Sequence, residues 1–168
     1  MVEFWIPEQS SGEIVTQDRL EAPAVRAGVA LWMDRKAGAR FPCLPAADMA
    51  LDHAVVIDVL EGGADYQYRI VGAALRGGFG EDFSGRRLSD IIETTPRFGI
   101  GLRMLYEMVR TSGEPLFYRG WVGEDLPDAQ FVYHESAVLP LGEAEVAHIL
   151  VVSALVPRDP LYPQPAHA

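Results

Sequence analysis

Five glycines fall within the twenty-one residues from Gly72 to Ile92. Each costs ~1 kcal/mol relative to alanine inside a helix, so this stretch cannot form one long helix. Short helical turns joined by loops are expected instead. The residues just before it, Asp65 to Val71, alternate cleanly: Tyr66, Tyr68 and Ile70 point one way, Gln67 and Arg69 the other. That is the pattern of a half-buried antiparallel strand. His53 to Leu60 is β-branched and reads as a second strand, with Glu61-Gly62-Gly63-Ala64 as the turn between them. A hairpin is the simplest pairing.

The flanking segments fix the class. Upstream, a helix is expected over 18–38, with Asp18 as cap and Pro23 in the first turns. Val25, Gly28, Val29 and Trp32 would share one face of it, and Gly38 would end it. Downstream, Thr95 is placed to cap a helix, Pro96 to begin it and Gly113 to close it. Arg103, Glu107 and Arg110 make its polar stripe, and Ile100, Leu102, Met104, Leu105, Met108 and Val109 fill the rest. Three further strands are expected: Pro115 to Val122, Ala129 to Leu139, and Val146 to Val156 after the turn PLGEAE. Antiparallel strands segregated from helices indicate α+β. The chain divides into an arm over 1–17 expected to be flexible, a domain over 18–157 that includes the flanking helix 18–38, and a Pro-rich tail over 158–168.

Charge and cysteine content narrow the partners. Twenty-four acidic residues face fourteen Lys and Arg, a formal net charge of −10. Repulsion from phosphate argues against nucleic acid and anionic membrane. A single cysteine, Cys43, excludes an intrachain disulfide. The opening MVEFWIPEQ lacks a basic n-region, and no apolar run approaches the ~20 residues of a membrane span. A cytoplasmic location is the expectation.

The element order, together with Arg69, Gly72, Gly80, Asp82, Phe83, Ser84, Gly85 and Arg86, resembles a bacterial family of short, stand-alone PAS-like proteins. In that family an aromatic strand ending in Arg-x-x-Gly leads to Gly-x-Asp, an apolar residue and Ser/Thr-Gly-Arg. Trp32, Phe41-Pro42 and a Leu139-Pro140-Leu141 turn extend the resemblance from Ala30 to Pro157. The segment before the first strand of the hairpin is shorter than the family's. The resemblance implies a five-stranded antiparallel sheet, with helices on one face and an N-terminal flanking helix. It also implies a sensory or protein-interaction role in a homodimer or with another signalling protein. It carries no catalytic residues.

Other chemistries fail on the residues. Cys43 lies in a Pro-rich loop, outside any flavin-photosensor context, and reads as a small packing residue. The helix from Pro96 has no histidine for haem, and His53, His134 and His148 lie on or beside strands. His134-Glu135 begins a zinc-protease pattern that lacks its second histidine. Gly78-Phe79-Gly80 lacks both the third small residue and the parallel unit of a dinucleotide site. Glu81-Asp82 reads as a solvated pair, with Asp82 placed to cap the turn leading to Gly85. Arg69-Ile70-Val71-Gly72-Ala73-Ala74 matches the Arg-x-x-Gly-x-Ala pattern of acetyl-CoA-dependent N-acetyltransferases, the alternative reading. That chemistry needs a continuous helix after Gly72, and Gly77-Gly78 should interrupt it after about one turn. No enzyme activity, metal or cofactor is expected.

What remains is an aromatic and methionine inventory. Tyr66, Tyr68, Phe79, Phe83, Met104, Met108 and Phe117, with His134 as a polar anchor, are the candidate ligand-binding residues. Trp121 and Ser136 are their possible companions. They would line a cavity for a small apolar or aromatic ligand between sheet and helix. The plain alternative is that they form an ordinary core.

Overall fold

The computed structural model describes residues 13–43, 51–121, 126 and 128–158. Most of the arm, the tail beyond residue 158 and the centres of two expected loops lie outside the described residues. The elements are β1 (Glu13–Val15), α1 (Pro23–Lys36), β2 (Ala54–Leu60), β3 (Asp65–Val71), α2 (Ala73–Phe79), α3 (Leu88–Thr94), α4 (Pro96–Ser112), β4 (Leu116–Trp121), β5 (Phe131–Gly142) and β6 (Val146–Pro157).

All strands among the described residues belong to one antiparallel sheet of six, ordered β1-β4-β5-β6-β2-β3. The hairpin β2–β3 joins the meander β4–β5–β6 through β2–β6 pairing, with Ala54 opposite Val152 and Asp58 opposite His148. The class is therefore α+β, with one strand more than expected. The extra strand is β1, which pairs Ile14 with Tyr118 on the free edge of β4. Residues 13–15 thus leave the expected arm and extend the sheet.

The two faces of the sheet are covered by different helices. Alternate residues of a strand point to opposite faces, so neighbouring Glu135 and Ser136 separate the layers. On the Glu135 side lies α1, and on the Ser136 side lie α2, α3 and α4. The buried face of α1 is Val25, Gly28, Val29 and Trp32, as the spacing predicts. Gly28 allows that approach: a Cβ there would stand 2.7 Å from a Val152 methyl. Trp32 Nε1 donates to the Pro140 carbonyl at 2.9 Å. The apolar face of α1 is thereby taken up by its own sheet.

Several local expectations are corrected. The first helix starts at Pro23, because Asp18 lies in a separate single turn, Gln17–Arg19. Leu139-Pro140-Leu141 runs within β5 and is not a turn; the reversal follows at Glu143 to Glu145. A bulge between Val56 and Ile57 places Ile70 opposite Val56 and Tyr68 opposite Ile57. Ile70 therefore leaves the face shared by Tyr66 and Tyr68. Gly77 and Gly78 lie inside α2, which ends in left-handed Gly80. Pro96 does begin α4 and left-handed Gly113 closes it, but Thr95 Oγ1 donates back to the Ile91 carbonyl instead of capping. Cys43 is exposed, not packed, and its thiol donates to the Gly142 carbonyl.

Candidate functional site

The register of the central strands builds a polar row on the α4-facing side of the sheet. Tyr118 on β4 stands opposite Ser136 on β5, and Ser136 stands opposite Ser153 on β6. The two serine hydroxyls share a 2.7 Å hydrogen bond, and His134 Nδ1 shares a 2.8 Å one with Ser136 Oγ. The imidazole lies 5.4 Å from the Tyr118 ring. Three strands thus contribute four polar side chains to one patch in an otherwise apolar face.

A cavity of about 580 Å³ lies over this patch, within the ~300–1,000 Å³ usual for ligand sites. Its walls are aromatic. Phe79 of α2 meets Phe83 at 5.2 Å and Phe131 at 5.1 Å, and Tyr68 meets Phe83 edge-on at 5.1 Å. Helix α4 closes the far side with Phe98, Leu102, Leu105 and Tyr106, and Met104 and Met108 stand at the mouth.

Of the residues singled out from sequence, Tyr68, Phe79, Phe83, Met104, Met108, His134, Ser136 and Trp121 all line this cavity. Two candidates lie elsewhere. Tyr66 faces the α4 side too, but its hydroxyl donates to Glu107, which Arg110 also grips at 2.8 and 2.9 Å. That network holds β3 to α4 and contributes no wall. Phe117 pairs with Ala137 on the α1 side, and borders a separate, more open groove beside β1 and the end of α4. That groove offers none of the polar row. Sequence reasoning missed Tyr118 and Ser153 as site residues. Ser153 had a visible mark, a hydroxyl inside the apolar run from Val146 to Val156.

The protonation states follow from enclosure. Burial lowers the His134 pKa to about 4, so the ring is neutral near pH 7. It is only half-buried by surface, but what it faces is the cavity. Burial likewise raises Tyr118, and pushes Tyr68 up to about 12 despite its 3.0 Å hydroxyl contact with Tyr106. The polar row carries no formal charge.

Two other histidines, His53 and His148, are structural partners. His148 Nδ1 pairs with Asp58 at 2.7 Å, and His53 contacts the Ser153 carbonyl. Among the described residues no group of His, Cys, Asp or Glu is placed to hold a metal ion. Asp82 accepts from the Ser84 N–H and hydroxyl, which hold its carboxyl below the usual range, and Glu81 pairs with Arg86. At the acetyltransferase-like segment, the Gly72 N–H donates to Ala54 O and the Ala74 N–H to Asp52 O. Two of the amides that would face a pyrophosphate are thus occupied by the chain itself. Among the described residues no helix is long and apolar enough to cross a membrane. In comparisons with family models, curated proteins and solved structures, nothing matches this chain.

Proposed function

We propose that this chain is a non-catalytic sensory or protein-interaction module of PAS type. It holds a small apolar or aromatic molecule between sheet and helices, and passes the bound state on to a second copy or a partner protein. The observation that carries this reading is the aromatic-walled cavity set over the His134–Ser136–Ser153 row. Apolar walls with a few converging polar groups are what a ligand pocket needs. A reacting constellation needs more than a hydroxyl beside a neutral imidazole: a third group that orients the base, and donors aimed at a developing charge.

The fold supports the same reading. Without β1, the hairpin and the meander make a five-stranded antiparallel sheet, its first two strands separated from the last three by α2, α3 and α4. An output surface is also available. Ile100, Met104 and Met108 recur every four residues on α4, are 51%, 63% and 46% exposed, and are accompanied by exposed Ile14. Apolar stripes of this kind mark contact surfaces.

Native mass spectrometry of protein purified gently from its own cells tests the proposal. A retained small molecule, lost in a Leu155→Trp variant that fills the cavity, is the expected result. An empty chain, with no thermal shift from any apolar or aromatic compound, would remove the ligand-holding part. A thermal shift with micromolar acetyl-CoA would instead favour the acetyltransferase alternative.

A further inference from the structure

The polar row has two open positions, and they limit what the cavity can accept. Ser136 Oγ already meets both His134 Nδ1 and Ser153 Oγ, so its hydrogen-bonding capacity inside the row is largely used. His134 Nε2 and Tyr118 Oη have no hydrogen-bond partner among the described residues, and neither is sealed from the cavity that both residues line. The two rings are 5.4 Å apart, inclined at 41°. A ligand oxygen placed beside this ring pair has both groups as neighbours, while the rest of the ligand lies along the walls.

The walls specify what that rest is. Phe83 and Phe131 stand at 73° and 72° to Phe79, the geometry in which a further ring is accommodated edge-to-face. The polar row offers no charge to a charged group. Of the charged side chains on the lining, Arg86 is paired with Glu81 at 2.9 Å, and Arg97 and Asp128 are exposed to solvent. A ligand charge placed at the polar row would lose its hydration without gaining a counter-ion there.

We infer that the cavity selects a neutral aromatic molecule carrying one hydrogen-bonding oxygen, a phenol or aryl ketone, whose oxygen sits between His134 Nε2 and Tyr118 Oη. The His134 tautomer adapts to the oxygen. With Nδ1 accepting from Ser136, Nε2–H donates to a carbonyl; with Nδ1–H donating, Nε2 accepts from a phenol. Ser153 at the end of the chain permits either direction, because a hydroxyl both donates and accepts. This inference rests on the ligand-holding reading above.

Calorimetric titration of the full chain at neutral pH with 2-naphthol, naphthalene and 2-naphthoate tests it, since the three share one ring system. 2-Naphthol is expected to bind about tenfold tighter than naphthalene, the value of one good hydrogen bond, with 2-naphthoate weakest. In Tyr118→Phe the preference for 2-naphthol should shrink several-fold. In Tyr118→Phe/His134→Phe it should vanish, and unchanged naphthalene affinity would show that the cavity is still folded. Equal binding of 2-naphthol and naphthalene to the wild type, or tightest binding of 2-naphthoate, would overturn the inference but leave the ligand-holding reading standing. If none of the three binds, that reading falls as well.

Discussion

The carboxylate of Glu135 accepts the Ala22 backbone N–H at 2.8 Å, so a residue in the middle of a β-strand caps a helix whose N-cap residue lies 113 residues earlier in the chain. The Glu21 N–H adds contacts of 3.1 Å to both carboxylate oxygens. Helix N-termini carry unsatisfied donors and partial positive charge, and no side chain near Ala22 caps α1 locally. Arg119 is the counter-ion, 4.0 Å from Glu135 and bonded also to Glu13 on β1 and to Glu21.

Glu135→Ala is therefore expected to cost about 3–5 kcal/mol, because it leaves buried amides unpaired and Arg119 short of a charge. Glu135→Gln keeps an acceptor oxygen and should cost less, about 1–2 kcal/mol. Urea unfolding with an unchanged m-value checks both. Equal costs for the two variants would show that charge, not hydrogen bonding, carries the effect.

Gly28 supplies a second test of how α1 is seated. Helix propensity alone predicts that Gly28→Ala gains ~1 kcal/mol. A Cβ at that position would lie 2.7 and 2.8 Å from the two Val152 methyls. Overpacking of that kind costs about 1–3 kcal/mol, so the substitution should destabilise. Adding Val152→Ala should make the alanine at position 28 tolerable, an interaction that a double-mutant cycle measures. A stabilised single variant would mean that α1 does not lie this close to β6.

His134 makes stability depend on pH with a defined sign. Its folded pKa is lowered to about 4 by burial, against ~6.5 when unfolded. Between these values the unfolded chain binds the extra proton, so stability rises with pH. The contribution is fully present above pH ~6.5 and is lost as the pH falls through 4, amounting to about 3 kcal/mol. Lowered carboxylates such as Glu107, held down chiefly by the Arg110 hydrogen bonds, lose their contribution only at lower pH. The difference between wild type and His134→Gln, followed by thermal unfolding at several pH values, isolates the histidine. Parallel curves over pH 4–6.5 would show that His134 is not kept neutral.

Local pattern made most of the secondary structure legible. The alternation of Asp65–Val71, the Pro96 start and Gly113 stop of α4, and the buried face of α1 are all periodicity and capping chemistry. What lay beyond reach depends on distant pairing. Strand β1 has three residues and no pattern of its own; it exists because β4 offers a free edge. The bulge that turns Ile70 away from Tyr68 sits in the register of β2 against β3. The site shows the same limit. Phe117 and Tyr118 are adjacent, and which of them enters the cavity is decided by which face α4 covers. Tyr66 has the right face and the right chemistry, yet Glu107 claims its hydroxyl. The His134–Ser136–Ser153 chain needs the β5–β6 register, which no local window contains.

The exposed stripe on α4 yields a prediction about assembly. Ile100, Met104 and Met108 form one row along the helix, and Ile14 of β1 is exposed on the same side of the sheet as Tyr118. Ile100 is the informative member, because Met104 and Met108 also line the cavity whereas Ile100 does not. If the stripe joins two copies, Ile100→Asp places a carboxylate in an apolar contact in each subunit, and the dimer should dissociate. The monomer fold should barely respond, since substitutions at exposed sites usually change stability by no more than ~0.5 kcal/mol. Sedimentation velocity over a range of concentrations, with thermal unfolding as the control, reads both effects. A wild-type chain that stays monomeric at every concentration would leave the stripe without a role between copies. A variant that stays dimeric would move the interface to another surface.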